Sequence, residues 1–397
     1  MQNKTNLNPV MLTWAREQAG LSVADVAGLA RISPLKSKKG VEGKSSAERL
    51  IDWESGVEFP TFSQLQALAK VFQRPIMTFF LAKPPVVSTK LVDFRTIDSR
   101  PHLKDSPAFA KLKRRLELLQ DNLSDIAKTT GQQPVEFVNT IDTSADIEKF
   151  VQLARKTLGI SFEEQRKVSD DIALFRLFRT KIQESGVYVV IEGDLGSHHS
   201  SVSTEEFRGI AITDKYAPLI AINSKDLKQA QLFTLLHEFA HIWLGDSSVS
   251  NVSVSEYTVD IKEKFCNAFA AEMLLPAIEI RKLLVESSNC SDVFQIVSDY
   301  ARAFKVSIMV MARRLLDAKK ISKNCYDKII SAIKESVAKK KQRNRESPTG
   351  ISRDILDRYR LGDKVLTSIK MATDSGQLTK YDASVLLNIN VVRFDRV

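Results

Sequence analysis

The 397-residue sequence is poor in the side chains that build disulfide and metal frameworks, with three cysteines and five histidines in all. Cys266, Cys290 and Cys325 are odd in number, far apart and never in a C-x-x-C pair. That argues against a disulfide framework and a thiolate zinc site, and suits a reducing compartment. No apolar run reaches the roughly 18 residues a membrane helix needs, and Met1 to Pro9 carries no apolar signal core. The expectation is a cytoplasmic protein with no membrane partner. Internal repeats and long Gly/Ser linkers are missing too. With 43% hydrophobic and 27% charged residues the chain is globular rather than disordered. At roughly 100–200 residues per domain, its length implies more than one. A net charge of +10 permits contact with nucleic acid without requiring it.

Residues 1–85 read as short helices separated by turns. Met11 to Gln18 has Leu12, Trp14 and Ala15 at helical spacing, Ser22 with Asp25 forms a cap for Val23 to Ala30, and Ala47 to Glu54 stops at Ser55-Gly56. Gln64 to Phe72 follows a Thr61 or Ser63 cap, and Pro75 to Leu81 starts on proline. The ordering is that of a helix-turn-helix domain. Gly20-Leu21-Ser22, Trp53-Glu54-Ser55-Gly56 and Pro60-Thr61 resemble the Cro/repressor-type family over residues 10–80. The resemblance implies DNA binding, with Lys39, Lys44 and Arg49 placed to contact phosphates. Leu35 to Ser46 looks inserted before the third helix, and a helical module for protein contact is the alternative.

Residues 86–165 read as a helical connector, with an extended piece at 91–96 and helices over Lys111 to Leu123 and Asp142 to Leu158, the latter capped by Thr143 or Ser144. Residues 166–320 alternate helix and strand: Asp170 to Ser185 helical, then strands Val187 to Ile191, Gly209 to Thr213 and Leu219 to Ile222. Two long helices follow, Lys225 to Trp243 and Val259 to Leu275, the second ended by Pro276. Residues 321–397 form a helical C-terminal extension whose basic run, Lys339 to Arg345, reads as a solvated linker.

The chemistry lies in His237-Glu238-Phe239-Ala240-His241. Two histidines four apart on a helix share a face and can take two corners of a zinc tetrahedron. Glu238 then lies beside the metal without ligating it. In H-E-x-x-H, zinc makes water acidic and the glutamate takes its proton. The flanking Phe233, Leu235, Leu236, Ile242 and Trp243 make the helix apolar all round, so it is buried. Burying two histidines and a glutamate there is costly unless something satisfies them, and a metal does so. Glu263 and Asn267 share a face of the next helix. Glu263 can complete the ligand set, and Asn267 can accept from a ligand imidazole N–H. Glu256, Asp260 and Glu272 compete for the third place, Glu272 most strongly. Tyr257, Arg208, His198 and His199 are the groups that could steady an oxyanion, though each reads more simply as surface or core.

Glu206-Phe207-Arg208-Gly209, Tyr216-Ala217-Pro218-Leu219-Ile220, the Leu232 to Leu244 helix, Glu263-x-x-x-Asn267 through Pro276, and Val306-Ser307 with Arg313-Arg314-Leu315 resemble the ImmA/IrrE metallopeptidase family over roughly 165–320. The resemblance implies a thermolysin-like zinc peptidase with ligands His237, His241 and Glu263 and base Glu238. It also implies a protein substrate that is a transcriptional repressor or antitoxin-like protein. Cys266 stands where alanine is commoner, and it is small and apolar enough to fill that place. The expected fold class is mainly α with an α+β metallopeptidase domain, an N-terminal all-α helix-turn-helix domain and a small helical C-terminal unit.

Overall fold

A computed structural model describes residues 7–36, 43–72, 76–84, 92–93, 105–193, 201–250, 260–285, 289–343 and 352–397. By packing the chain divides into two compact units, 1–89 with 104–114 and 90–103 with 115–397.

The first unit contains α1 (Pro9–Gln18), α2 (Val23–Leu29), α3 (Ser46–Ser55) and α4 (Phe62–Phe72), followed by a 3-10 turn over Ile76–Phe80. Each helix starts where its sequence supplies a cap. Asn8 accepts from the Val10 N–H ahead of α1, and Ser22 with Asp25 and Ser45 with Glu48 form reciprocal capping boxes. Met11, Leu12, Val26, Leu50, Trp53, Leu68, Phe72 and Phe79 close one core. Between α2 and α3 stand residues 30–45, with Leu35 and Lys44 bridged as antiparallel partners. A helix-turn-helix joins its helices by only about 3–4 residues.

The second unit holds β1 (Val92–Asp93), and α5 (Pro107–Thr129) runs from the first unit into it. Then come α6 (Ile147–Leu158), α7 (Phe162–Lys167), α8 (Asp171–Glu184), β2 (Tyr188–Glu192), β3 (Gly209–Ile212), β4 (Leu219–Asn223), α9 (Lys228–Leu244), β5 (Ser248–Ser250) and α10 (Ile261–Leu274). After these follow α11 (Ala277–Lys282), α12 (Cys290–Phe304), α13 (Ile308–Asp317), α14 (Lys323–Arg343), α15 (Arg353–Leu361), α16 (Asp363–Asp374) and α17 (Lys380–Leu387). The cap of α6 is Asp146, not Thr143 or Ser144, because Asp142 already accepts from Ser144. Among the described residues five strands form one sheet in the order β1-β5-β3-β4-β2. β3 is antiparallel to β4 and β5, while β2 runs parallel to β4 and β1 parallel to β5. This is the mainly α chain with an α+β domain that the sequence implies.

The apolar strands β2, β3 and β4 are buried along their whole length. α9 lies against β3 and β4 on one side and against α8 and α10 on the other. Phe150 of α6 stacks on Phe269 of α10 at 4.2 Å and meets Trp243 of α9 edge-on. Aromatic area of this kind fixes the spacing of the two site helices. The outer strand β2 is covered by α15 and α16. Tyr188 shares a hydrogen bond with Ser368 at 3.1 Å, and Arg179 donates to the Tyr359, Arg360 and Val189 carbonyls. Among the described residues no helix is long and apolar enough to cross a membrane.

One expectation is corrected. Cys290 and Cys325 form a disulfide, with Cα atoms 4.9 Å apart. They are 35 residues apart in sequence, but α12 and α14 pack together and both cysteines fall in the first turns of those helices. Sequence spacing carries no trace of that packing. Cys266 alone is free, and it is buried.

Candidate metal centre

α9 is built to carry polar groups inside a core. Every residue from Gln231 to Trp243 is buried. The start of the helix is fastened by Gln231, whose amide donates to the carbonyls of Asn223, the last residue of β4, and of Ser224 and Asp226 just after it. Its end is Gly245 at φ +70°. A Cβ there would also fall 2.4 Å from Asn139 Oδ1, so glycine is required twice over. Between these fixed ends His237 and His241 lie one turn apart, with their Nε2 atoms 3.2 Å from each other.

α10 brings the third group. Asp260 caps it by accepting from the N–H groups of Lys262 and Glu263. Glu263 then points at both imidazoles, Oε2 at 3.2 Å from His237 Nε2 and Oε1 at 3.1 Å from His241 Nε2. His237, His241 and Glu263 are 2%, 0% and 1% exposed. One ligand atom from each lies within 4.8 Å of the others. Asn267, one turn further along α10, has its Oδ1 3.0 Å from His237 Nδ1. A ring donating to that oxygen through Nδ1–H keeps Nε2 as the lone-pair atom facing Glu263.

The electrostatics follow from burial. Burial pushes the Glu263 carboxyl up, but the nearby His237 and His241 outweigh it and hold Glu263 well below the ordinary range. Burial pulls the His241 imidazole down, yet Cys266, Asp246 and Glu263 more than offset this and raise it. Neither Glu263 oxygen has a well-aligned hydrogen-bond donor. Two imidazole nitrogens and a carboxylate thus converge on one dry point, where a divalent cation satisfies all three. The donor set fits a metal ion.

Glu238 follows His237 on α9, is fully buried and faces the sheet. Ser248 and Ser250 of β5 donate to its two oxygens. Burial raises its carboxyl; His237, His241 and the Ser250 contact pull the other way without cancelling the effect.

The remaining residues singled out from the sequence are placed as follows. Glu272 is ion-paired with Arg314 and accepts from the Ala277 N–H, so it turns away from the imidazoles. Asp260 is spent as a cap. Arg208 is paired with Asp226 at 2.8 Å. Glu256, Tyr257, His198, His199 and Lys39 lie outside the described residues. Lys44 is held by Asp52 at 2.5 Å and Glu58 at 2.9 Å. Arg49 donates to the Ser33 carbonyl at 2.6 Å and lies over the Trp53 ring. The exposed positions of α3 are Glu48, Ile51 and Ser55.

Sequence reading missed three contacts. Ser248 and Ser250 touch Glu238, and Asp246 lies 3.8 Å from His241 Nδ1 while pairing with Lys262. The alternation Ser-Val-Ser right after the motif helix was the available signal.

Residues 183–316 match a peptidase family model described as the IrrE N-terminal-like domain. The matched stretch runs from the end of α8 through α13 and contains every group of the centre. The match supports a metallopeptidase of the ImmA/IrrE type for this stretch. No curated protein and no solved structure matches the chain.

Proposed function

We propose that the chain is a zinc-dependent endopeptidase that regulates transcription by cutting one chosen protein, a repressor or an antitoxin-like protein. The observation that carries this reading is the convergence of His237, His241 and Glu263, with Glu238 next to His237 on the same helix and within charge reach of both imidazoles. Three protein ligands of this type are the number that leaves a fourth position open in catalytic zinc sites, whereas structural zinc sites close all four. A zinc ion held there supplies Lewis acidity, polarising a carbonyl and making water acid enough to ionise near neutral pH.

The chain's own residues do the rest. Glu238 receives a proton from the attacking water at its carboxylate and passes it to the departing amine as the peptide C–N bond breaks. Its raised proton affinity, caused by burial, suits a group that must accept at neutral pH. Asn267 holds the His237 ring in one tautomer. The dry surroundings strengthen every charge interaction at the centre.

The test compares wild type with Glu238→Gln, measuring bound zinc and cleavage of cell proteins. The variant should keep one zinc per chain and lose about 10²–10⁴-fold in turnover. Zinc-free wild type, or equal cleavage by both proteins, overturns the reading in favour of a non-catalytic sensor or scaffold.

In this reading residues 1–85 bind DNA. A second reading, in which they meet a protein, is favoured by Lys44 and Arg49 being engaged within the unit and by the acidic and apolar exposed edge of α3. A mobility-shift titration of the full chain separates the two. DNA binding that weakens steeply between 50 and 200 mM salt, roughly 10³-fold or more for six or more phosphate contacts, supports the first. No shift at 50 mM supports the second.

A further inference from the structure

We infer that Ser248 and Ser250 are positioning residues that hold the Glu238 carboxyl in one orientation, an assignment that rests on the peptidase reading above. The two serines are separated by one residue on β5 and so lie on the same face of the strand. That face meets α9. Ser248 Oγ donates to Glu238 Oε2 at 3.2 Å, and Ser250 Oγ donates to Oε1. One donor on each oxygen fixes both the place and the plane of the carboxyl group. A glutamate side chain otherwise has three rotatable bonds to lose.

The neighbouring strand makes the slot. In the β3–β5 register Gly209 lies opposite Ser250 and Ala211 opposite Ser248. A Cβ at position 209 would stand 2.3 Å from Glu238 Oε1 and 2.6 Å from its Cγ. Glycine there is what lets the carboxyl reach the serines. Both serines are buried, at 0% and 3% exposure. Strand interiors ordinarily fill such positions with β-branched or aromatic side chains, and a buried hydroxyl is stable only with a partner. The partner is the base itself. A general base displaced by about 1 Å can lose about 10²-fold in rate, so the slot sets turnover rather than metal loading.

The experiment uses the full chain labelled with [¹³C]glutamate. The infrared band of Glu238 is isolated as the difference between wild type and Glu238→Gln. It should shift in Ser250→Ala and in Ser248→Ala/Ser250→Ala, and return in Ser250→Thr. All variants should keep wild-type zinc stoichiometry. On one peptide that wild type cleaves, picked from a mixed-sequence library and followed by mass spectrometry, kcat should fall about ten- to a hundredfold in the double variant with KM unchanged, and Ser250→Thr should recover most of it. An unmoved band, a moved band with unchanged kcat, or loss of zinc from the alanine variants overturns the assignment. Wild type that holds no zinc overturns the peptidase reading itself and the positioning role with it. That outcome is distinct, because it is seen before any serine is changed.

Discussion

Replacing Glu192 by glutamine removes a negative charge from a place where water cannot compensate. Glu192 ends β2 and is fully buried. Arg115 of α5 stands 2.6 Å from Oε2 and Arg360 of α15 stands 2.6 Å from Oε1. The three groups carry a net charge of +1, and the variant leaves +2. Breaking a buried pair by removing one partner costs about 3–5 kcal/mol, because a charge stays behind unsolvated. Arg360 keeps the Leu387 carbonyl at 2.6 Å and the Asp357 carboxylate at 3.6 Å, and glutamine keeps one carbonyl oxygen, so the lower end of that range applies. At the lower end of about 2–4 °C per kcal/mol for large units, the melting midpoint should fall about 6 °C. The assay is differential scanning calorimetry of the full chain over a pH series. Burial pushes the Glu192 carboxyl up, but Arg115 and Arg360 outweigh it and hold it below the ordinary value. A carboxyl lowered in the folded state adds stability that is complete above its unfolded value, about 4.3, and is lost as pH falls through the folded value. The gap between wild type and variant should therefore stay constant from pH 7 to about 5 and close below about 4. A variant melting within about 1 °C of wild type at pH 7, or a gap that widens on acidification, refutes the argument.

Two further outcomes follow from single contacts. Asn267→Ala removes the oxygen 3.0 Å from His237 Nδ1 and should weaken zinc binding about 10–100-fold, read by competition with a chromophoric chelator. Reducing the Cys290–Cys325 bond opens a loop with a sequence separation of 35. That should lower stability by about 3–4 kcal/mol on the chain-entropy account, seen as a lower midpoint in dithiothreitol that a Cys290→Ser/Cys325→Ser chain does not show.

Local signals in the sequence read well wherever one residue acts on its own neighbours. The capping pair Ser22 with Asp25 needed only three-residue spacing, and α2 begins where that spacing puts it. The apolar surround of α9 implied burial, and Gln231 to Trp243 are buried. The α6 cap was misplaced because Asp142, Thr143, Ser144 and Asp146 all carry capping oxygens within five positions. Asp146 takes the place by accepting from the Lys149 N–H, while Asp142 accepts from Ser144.

The centre divides along the same line. The spacing of His237 and His241 is a property of one helix, so the sequence alone placed both imidazoles on one face, and Glu263 and Asn267 on another. It also left Glu272 in competition, since both acidic residues sit on α10. Only the packing of α10 on α9 decided between them. Glu263 faces the imidazoles, while Glu272 meets Arg314, 42 residues away in the chain. The serines on Glu238, the disulfide across α12 and α14, and the two arginines, Arg115 of α5 and Arg360 of α15, that meet at Glu192 are of this second kind. A helix repeats every 3.6 residues and writes its own faces into the sequence. Contacts between elements obey no period, and they exist only once the core has closed around them.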